Sequence, residues 1–246
     1  MITITSQPTS QVVHLGLTAS FIVAADHSNV LANLFFQWYK NDKVMQGETN
    51  NILTLTNVAV EDSDVYSCVV SDDLDTDMVK TDYAALASSL LDYIELNMKI
   101  KMLGMTITGG YNFDWKTVNQ PDEALGDFPR AVIASPQENC IDEMIGQDTQ
   151  SYANNVLFLV QVKGSQAWNS NANFMIRSNL RLALDDLKRL FGQDTSINGT
   201  CEVVMYRGSQ VININQNDIQ RPSHMNTSWT VRYAQDRLEP LVVSSS

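Results

Sequence analysis

Along residues 1–80 the apolar positions come in short alternating runs. Val12 and Val13 precede Gly16, then Ala19, Phe21 and Val23 alternate with polar neighbours. Residues 34–39 carry Trp38, Ile52, Leu53, Leu55 and Val58 follow, and residues 66–70 form the last run. Successive side chains of a strand face opposite sides, so each run predicts a short strand with one buried face. About seven such strands separated by turn residues predict an all-β sandwich. Its inward positions are Val23, Trp38, Leu55, Tyr66 and Cys68.

Beyond Lys80 the pattern changes. Residues 81–103 are rich in Ala, Leu, Met and Ile, and Leu86, Leu90 and Ile94 recur every fourth residue. That spacing predicts a helix, with Gly104 as its stop. Residues 105–108 and 111–118 predict strands around the turn pair Gly109-Gly110. Phe128-Pro129 leads into a strand at residues 131–133. Val156, Phe158, Val160 and Val162 alternate within residues 155–163 and predict a half-buried strand. Asn169, Asn171 and Asn173 suit a turn and helix cap. A second helix is expected over residues 174–191, with Leu180, Leu184, Leu187 and Phe191 as its apolar stripe and Gly192 at its end. Strands at residues 201–206 and 228–233, with a short one near 211–214, complete the pattern. The order predicts a compact α+β domain over residues 81–246, two helices on one face of a mostly antiparallel sheet.

The formal net charge of −12 includes −7 within residues 1–80, where 10 acidic and 3 basic side chains lie. Such a balance does not suit a protein that grips phosphates through clustered cations. It does suit an acidic wall past which DNA slides. No apolar run reaches the roughly 20 residues that span a bilayer, so no membrane role is expected. The start, Met1-Ile2-Thr3-Ile4-Thr5, lacks the basic and apolar regions of a secretory signal. Three cysteines, Cys68, Cys140 and Cys201, make no disulfide framework. The sandwich position facing Cys68 falls on Val23, so Cys68 is read as a buried free thiol in a reducing compartment.

Candidate chemistry is sparse, and no catalytic residue and no cofactor are expected. There is no Gly-x-Ser-x-Gly elbow and no phosphate-cradling glycine loop. His14, His27 and His224 have no mates at ligand spacing and read as surface or loop residues. Asp73, Asp75 and Asp77 are the only candidates for a hard cation, but their segment lacks the Gly and distal Glu of a calcium loop and reads as a solvated acidic turn. Asp185-Asp186 read as part of a solvated helical face. Tyr111, Phe113 and Trp115 share one side of an expected strand, either buried or in contact with a subunit or tube partner.

Several residues in the first part carry a resemblance. Gln7-Pro8, Gly16, the Gln-Trp-Tyr-Lys-Asn of residues 37–41, the Leu-Thr-Leu-Thr-Asn-Val of residues 53–58, and Asp62 with Tyr66 resemble immunoglobulin-like modules of bacterial and bacteriophage surface proteins. The resemblance implies a sandwich in which Trp38 packs at the Cys68 position and Tyr66 folds back to close a corner. It also implies a decoration role with weak glycan binding.

The second part resembles the tail-terminator family of tailed bacteriophages over most of residues 84–240. The matching features come in order: a first helix, Gly110-Tyr111 with Val118 downstream, Phe128-Pro129 entering a strand, a long alternating strand, a helix carrying Asp185 and Leu190, and a closing Val231-Arg232-Tyr233 with Pro240. This resemblance implies a homo-hexameric ring in the virion neck, assembled in the bacterial cytoplasm. Its partners would be the tail-tube protein and the head connector, with DNA passing through the lumen without specific binding. The alternative is a decoration or adhesion protein that binds host glycans through the sandwich, or another neck or tube protein.

Overall fold

The computed structural model describes residues 1–74, 77–115, 117–118, 129–140, 149–162, 172–213 and 223–236. The chain divides into two compact units, with the division after Leu96.

The first unit is a two-sheet sandwich. Its strands are β1 (Ile2–Ser6), β2 (Gln11–Val12), β3 (Ala19–Ile22), β4 (Ala24–His27), β5 (Leu34–Lys40), β6 (Lys43–Val44), β7 (Ile52–Leu55), β8 (Asp64–Asp72), β9 (Met78–Lys80) and β10 (Ala84–Ala87). One side pairs β1 with β4 and β3 with β7, while the other runs β2-β10-β8-β5-β6, with β9 also on β8. Trp38 lies directly across from Cys68 in the β5–β8 register. Both are fully buried, as are Val23 and Tyr66, while Leu55 is half-buried against the same cluster and Leu53 is fully buried. Phe21 stacks on Tyr66 with ring centroids 5.0 Å apart. The Tyr66 hydroxyl donates to the Asp62 carbonyl at 2.7 Å, and the Trp38 indole donates to the Asn50 carbonyl at 2.8 Å. These bonds let two large amphipathic rings fill a core without leaving a polar atom unpaired.

The helix expected from residue 81 starts later. Residues Ala84–Ala87 form β10, buried throughout, antiparallel to β8 and parallel to β2. The sandwich therefore continues past residue 80. The small apolar run has helical composition, but pairing on both sides overrides that preference. The helix α1 spans Leu90–Leu103, with the Ser89 hydroxyl accepting from the Asp92 N–H at its start. Ile94, Met98 and Met102 form its buried stripe, and the Gly104 N–H closes its end on the Ile100 carbonyl.

The second unit holds β11 (Thr117–Val118), β12 (Arg130–Cys140), β13 (Thr149–Val162), α2 (Ala172–Gln193), β14 (Val203–Asn213) and β15 (Ser223–Asp236). The sheet order is β11-β12-β13-β15-β14. All neighbours are antiparallel except the short parallel β11–β12 pair. Val156, Phe158, Val160 and Val162 face α2 as the alternation predicts. Phe191 of α2 meets Phe158 at 5.5 Å and Trp229 at 5.0 Å between centroids. Two closing strands are longer than expected. Residues 203–213 form one strand with bulges near Arg207 and Ile212, rather than two separate pieces. Gly192 lies inside the last turn of α2 instead of ending it. Asn169 and Asn171 lie outside the described residues.

Candidate functional site

The expected hairpin around Gly109-Gly110 is instead a loop without strands, closed where the Trp115 N–H meets the Met105 carbonyl at 3.0 Å. Gly110 has φ of 88° and approaches Arg189, which hydrogen-bonds its carbonyl. That conformation strains any residue with a Cβ. The three aromatic residues therefore separate. Tyr111 lies beneath the Arg189 guanidinium, 5.0 Å from it, and its hydroxyl is 3.3 Å from Gln193 Oε1. Phe113 is half-buried. Trp115 is only 1% exposed, so its ring belongs to the core and does not present a surface for a partner.

The anchor of this loop is Asp186, which is also 1% exposed. It corrects the reading of Asp185-Asp186 as a solvated pair, because only Asp185 is exposed. The Asp186 carboxylate accepts from the Asn112 N–H at 2.8 Å, Asn112 Nδ2 at 2.8 Å, the Phe113 N–H at 3.2 Å and Trp115 Nε1 at 3.1 Å. Four donors around one buried side chain satisfy its acceptor oxygens. This is a structural clamp between α2 and the loop.

Among the described residues the sheet ends in two long strands: β14 pairs only with β15, and β12 pairs with β11 only at Arg130 and Ala131. Among the described residues the rest of β12 has a neighbour on one side alone. Both strands are 11 residues long. Val211 and Ile212 are exposed near the end of β14. Beside them, Arg177, Leu180, Arg181, Leu184 and Met225 help line a groove of about 420 Å³ between α2 and β14. On the first unit, Gln7, Thr9, Ser10, Gln11, Ser20 and Ile22 line a second groove of about 410 Å³, rich in hydroxyl and amide groups.

The acidic candidates do not converge. Asp73 accepts from the Asn33 N–H and side-chain amide, whereas Asp77 accepts from the Ile2 N–H at 2.6 Å. Asp75 lies outside the described residues. Among the described residues no group of three His, Cys, Asp or Glu has the arrangement of a metal site. His27 is not a free loop residue: its ring is nearly buried, with Nε2 3.4 Å from the buried Asp72 carboxylate.

Two thiols are inert by environment. Burial, against a weaker hydrogen bond from the Gln37 backbone, pushes Cys68 up to about 11. Burial together with Asp194 and Glu202 pushes Cys201 up to about 12. Thiolate is the reactive form. In a Cys140→Ser variant, both thiols should therefore resist an aromatic disulfide reagent at pH 8 and react at once in denaturant. Rapid labelling of the native protein would contradict their burial.

Asp194, just beyond α2, binds Lys101 Nζ at 2.7 Å. Partial burial opposes its charge, but Lys101, the Asn198 N–H and Ser196 outweigh that and hold the carboxyl down at about 2. The folded value lies below the unfolded value of about 4. This stabilisation is thus complete above pH 4 and is lost as pH falls toward 2. Asp194→Asn should cost roughly 1 kcal/mol near neutrality, allowing for solvent screening. The difference from the native chain should shrink below pH 4 in urea titrations.

The immunoglobulin domain family matches residues 3–72. The first unit therefore carries an immunoglobulin-like domain. Among solved structures, the N-terminal Ig1-2 module of the Drosophila receptor protein tyrosine phosphatase DLAR is 28% identical, with a TM-score of 0.30, covering 35% of this chain and 48% of that one. Tandem Ig repeats of Dlar are 21% identical at a TM-score of 0.31, covering 36% and 48%. The N-terminal four Ig domains of Dscam1 isoform 1.9 are 22% identical at 0.31, covering 36% and 21%. This chain spans less than half the length of each of these structures. No curated protein matches it. Among the described residues no helix is long and apolar enough to cross a membrane.

Proposed function

We propose that this chain is a structural virion protein of a tailed bacteriophage, forming a ring that ends the tail tube and joins it to the head connector. The observation that supports this reading most is the sheet of the second unit. Its four long strands alternate in direction in the order β12-β13-β15-β14. β12 and β14 therefore run oppositely. A second copy, related by rotation about an axis along the strands, brings its β12 antiparallel to the β14 edge of the first. Such a head-to-tail contact continues one sheet from subunit to subunit and closes a ring where the rotation closes. The two bulges bend β14, and a closed sheet needs that curvature. The immunoglobulin-like domain then serves as decoration.

The test is capping. Purified protein added to polymerising tail-tube protein is expected to stop growth and give tubes of uniform length in negative stain. Tubes that lengthen regardless of its presence would contradict the proposal.

One observation favours a second reading, glycan binding by the first unit. The groove at Gln7, Ser10 and Gln11 offers hydroxyl and amide partners beside apolar Ile22. Sugars take such mixed polar and apolar contacts. Under that reading Gln7→Ala with Gln11→Ala removes binding to a host-glycan array and leaves tube length unchanged. An unchanged array signal excludes this groove.

A further inference from the structure

Arg177 and Arg181 stand one turn apart on α2 and are both exposed. With Leu180, Leu184, Val211 and Ile212 they line the groove of about 420 Å³ between α2 and β14. Among the described residues no carboxylate lines this groove, and neither guanidinium has an ion-pair partner. Asp185, one turn beyond Arg181, is not among its walls. Two cations over an apolar floor complement a segment that carries carboxylates between apolar side chains.

Two segments that flank β12 have this composition and no cation. Residues 122–128 hold Asp122, Glu123 and Asp127 with Leu125 and Phe128, and residues 141–148 hold Asp142, Glu143 and Asp148 with Ile141, Met144 and Ile145. Both lie outside the described residues, but their attachment points do not. Position separates them. In the ring proposed above, on which this inference rests, β14 of one copy runs antiparallel to β12 of the next. The start of the neighbour's β12 then lies at the Val211 end of β14, and its finish lies at the Val203 end. Only the first acidic segment arrives at the groove.

Reach favours the neighbour over the same chain. β11 covers the outer side of β12 at Arg130 and Ala131. The chain leaves β11 at Val118 and returns at Pro129, so residues 119–128 are tethered at both ends. A stretch of that length, held at both ends, extends at most roughly 17 Å from its anchors. The neighbour's β14 takes the same outer side of β12 directly past β11, within that distance. The same chain's β14 lies four strand spacings from β11, about 19 Å away.

We infer that residues 122–128 of one copy dock in the α2–β14 groove of the next. Asp122, Glu123 and Asp127 pair with Arg177 and Arg181, while Leu125 and Phe128 cover the apolar floor. Each copy offers one groove and one acidic segment, so the contact is head to tail and its repetition closes a ring.

The test is complementation between two charge-reversed variants of the full chain. Arg177→Glu with Arg181→Glu, and separately Asp122→Lys with Glu123→Lys, set like charges together in every contact and should weaken assembly at least about 100-fold. Mixed in equal amounts, the two alternate around an even-numbered ring, and every contact again joins opposite charges. Light scattering should show monomers for each variant alone and rings of native mass for the mixture. Asp142→Lys with Glu143→Lys makes the same charge change at the other end of β12 and should still form rings. Unfolding midpoints matching the native chain's establish that each variant is folded. Rings that persist in both reversed variants overturn this contact and leave the edge pairing standing. So does a mixture of folded variants that stays monomeric, and so does an equal loss in the variant at Asp142 and Glu143. A native chain that forms no ring, alone or on tail tubes, overturns the edge pairing and this contact together.

Discussion

Replacing Asp186 by alanine is expected to destabilise the second unit by about 3 kcal/mol or more. The substitution removes the shared acceptor of the Asn112 and Phe113 N–H groups, the Asn112 amide and the Trp115 indole. Burial around Trp115 leaves little water to replace it. Each stranded buried donor costs about 1–3 kcal/mol, and losses within one network do not simply add. Asp186→Asn keeps the shape and one acceptor oxygen, so a smaller loss is expected. Urea unfolding monitored by tryptophan emission measures both. Near-identical midpoints for the native chain and Asp186→Ala would show that the loop stands without its clamp. Asp185→Ala, on the exposed side of the same helix, should change stability by less than about 0.5 kcal/mol.

The second large effect is on assembly. Val211→Lys with Ile212→Lys adds two charges to an exposed stretch of the β14 edge. Lysine on an edge strand opposes pairing with another chain. If subunits join through that edge, the double variant should remain folded and fall from a ring to a monomer of 27.5 kDa. Both residues are already exposed, so the fold itself should lose little. A ring that survives this change would place the subunit contact elsewhere. The Cys201 thiol reports folding in the same samples, because it stays unreactive only while buried.

The sandwich was legible because its signals are local and geometric. Tyr66 lies two residues before Cys68, so both point inward from one strand, and Trp38 meets Cys68 directly across the register. Val23 was found from the alternation with Phe21. The strand at residues 84–87 was missed because Ala-Ala-Leu-Ala suits either structure, and only its partners β8 and β2 decide. α2 was legible from its apolar stripe, and β13 from clean alternation. Asp186 was not. A carboxylate on an amphipathic helix looks like a solvated one, and its donors lie more than 70 residues earlier in the chain. The fate of Trp115 follows from the same bond. An alternating Tyr-x-Phe-x-Trp pattern predicts a strand, but Asp186 and Gly110 turn it into a loop.

Net charge was the least informative feature about position. The value of −12 gives no sign that Arg207 and Arg232 share one face of the sheet. Only the register of β14 and β15 brings them together. Among the described residues, the same register sets β12 and β14, on which the ring reading rests, at opposite sides of the four long strands.

The central claim is that copies of this chain join edge to edge through the second unit. Light scattering of the purified protein, with negative-stain images of the same sample, tests it most directly. A closed ring of about six times the 27.5 kDa chain mass, alone or on added tail tubes, is the predicted result. A 27.5 kDa monomer that stays monomeric at high concentration and never caps a tube would contradict the account.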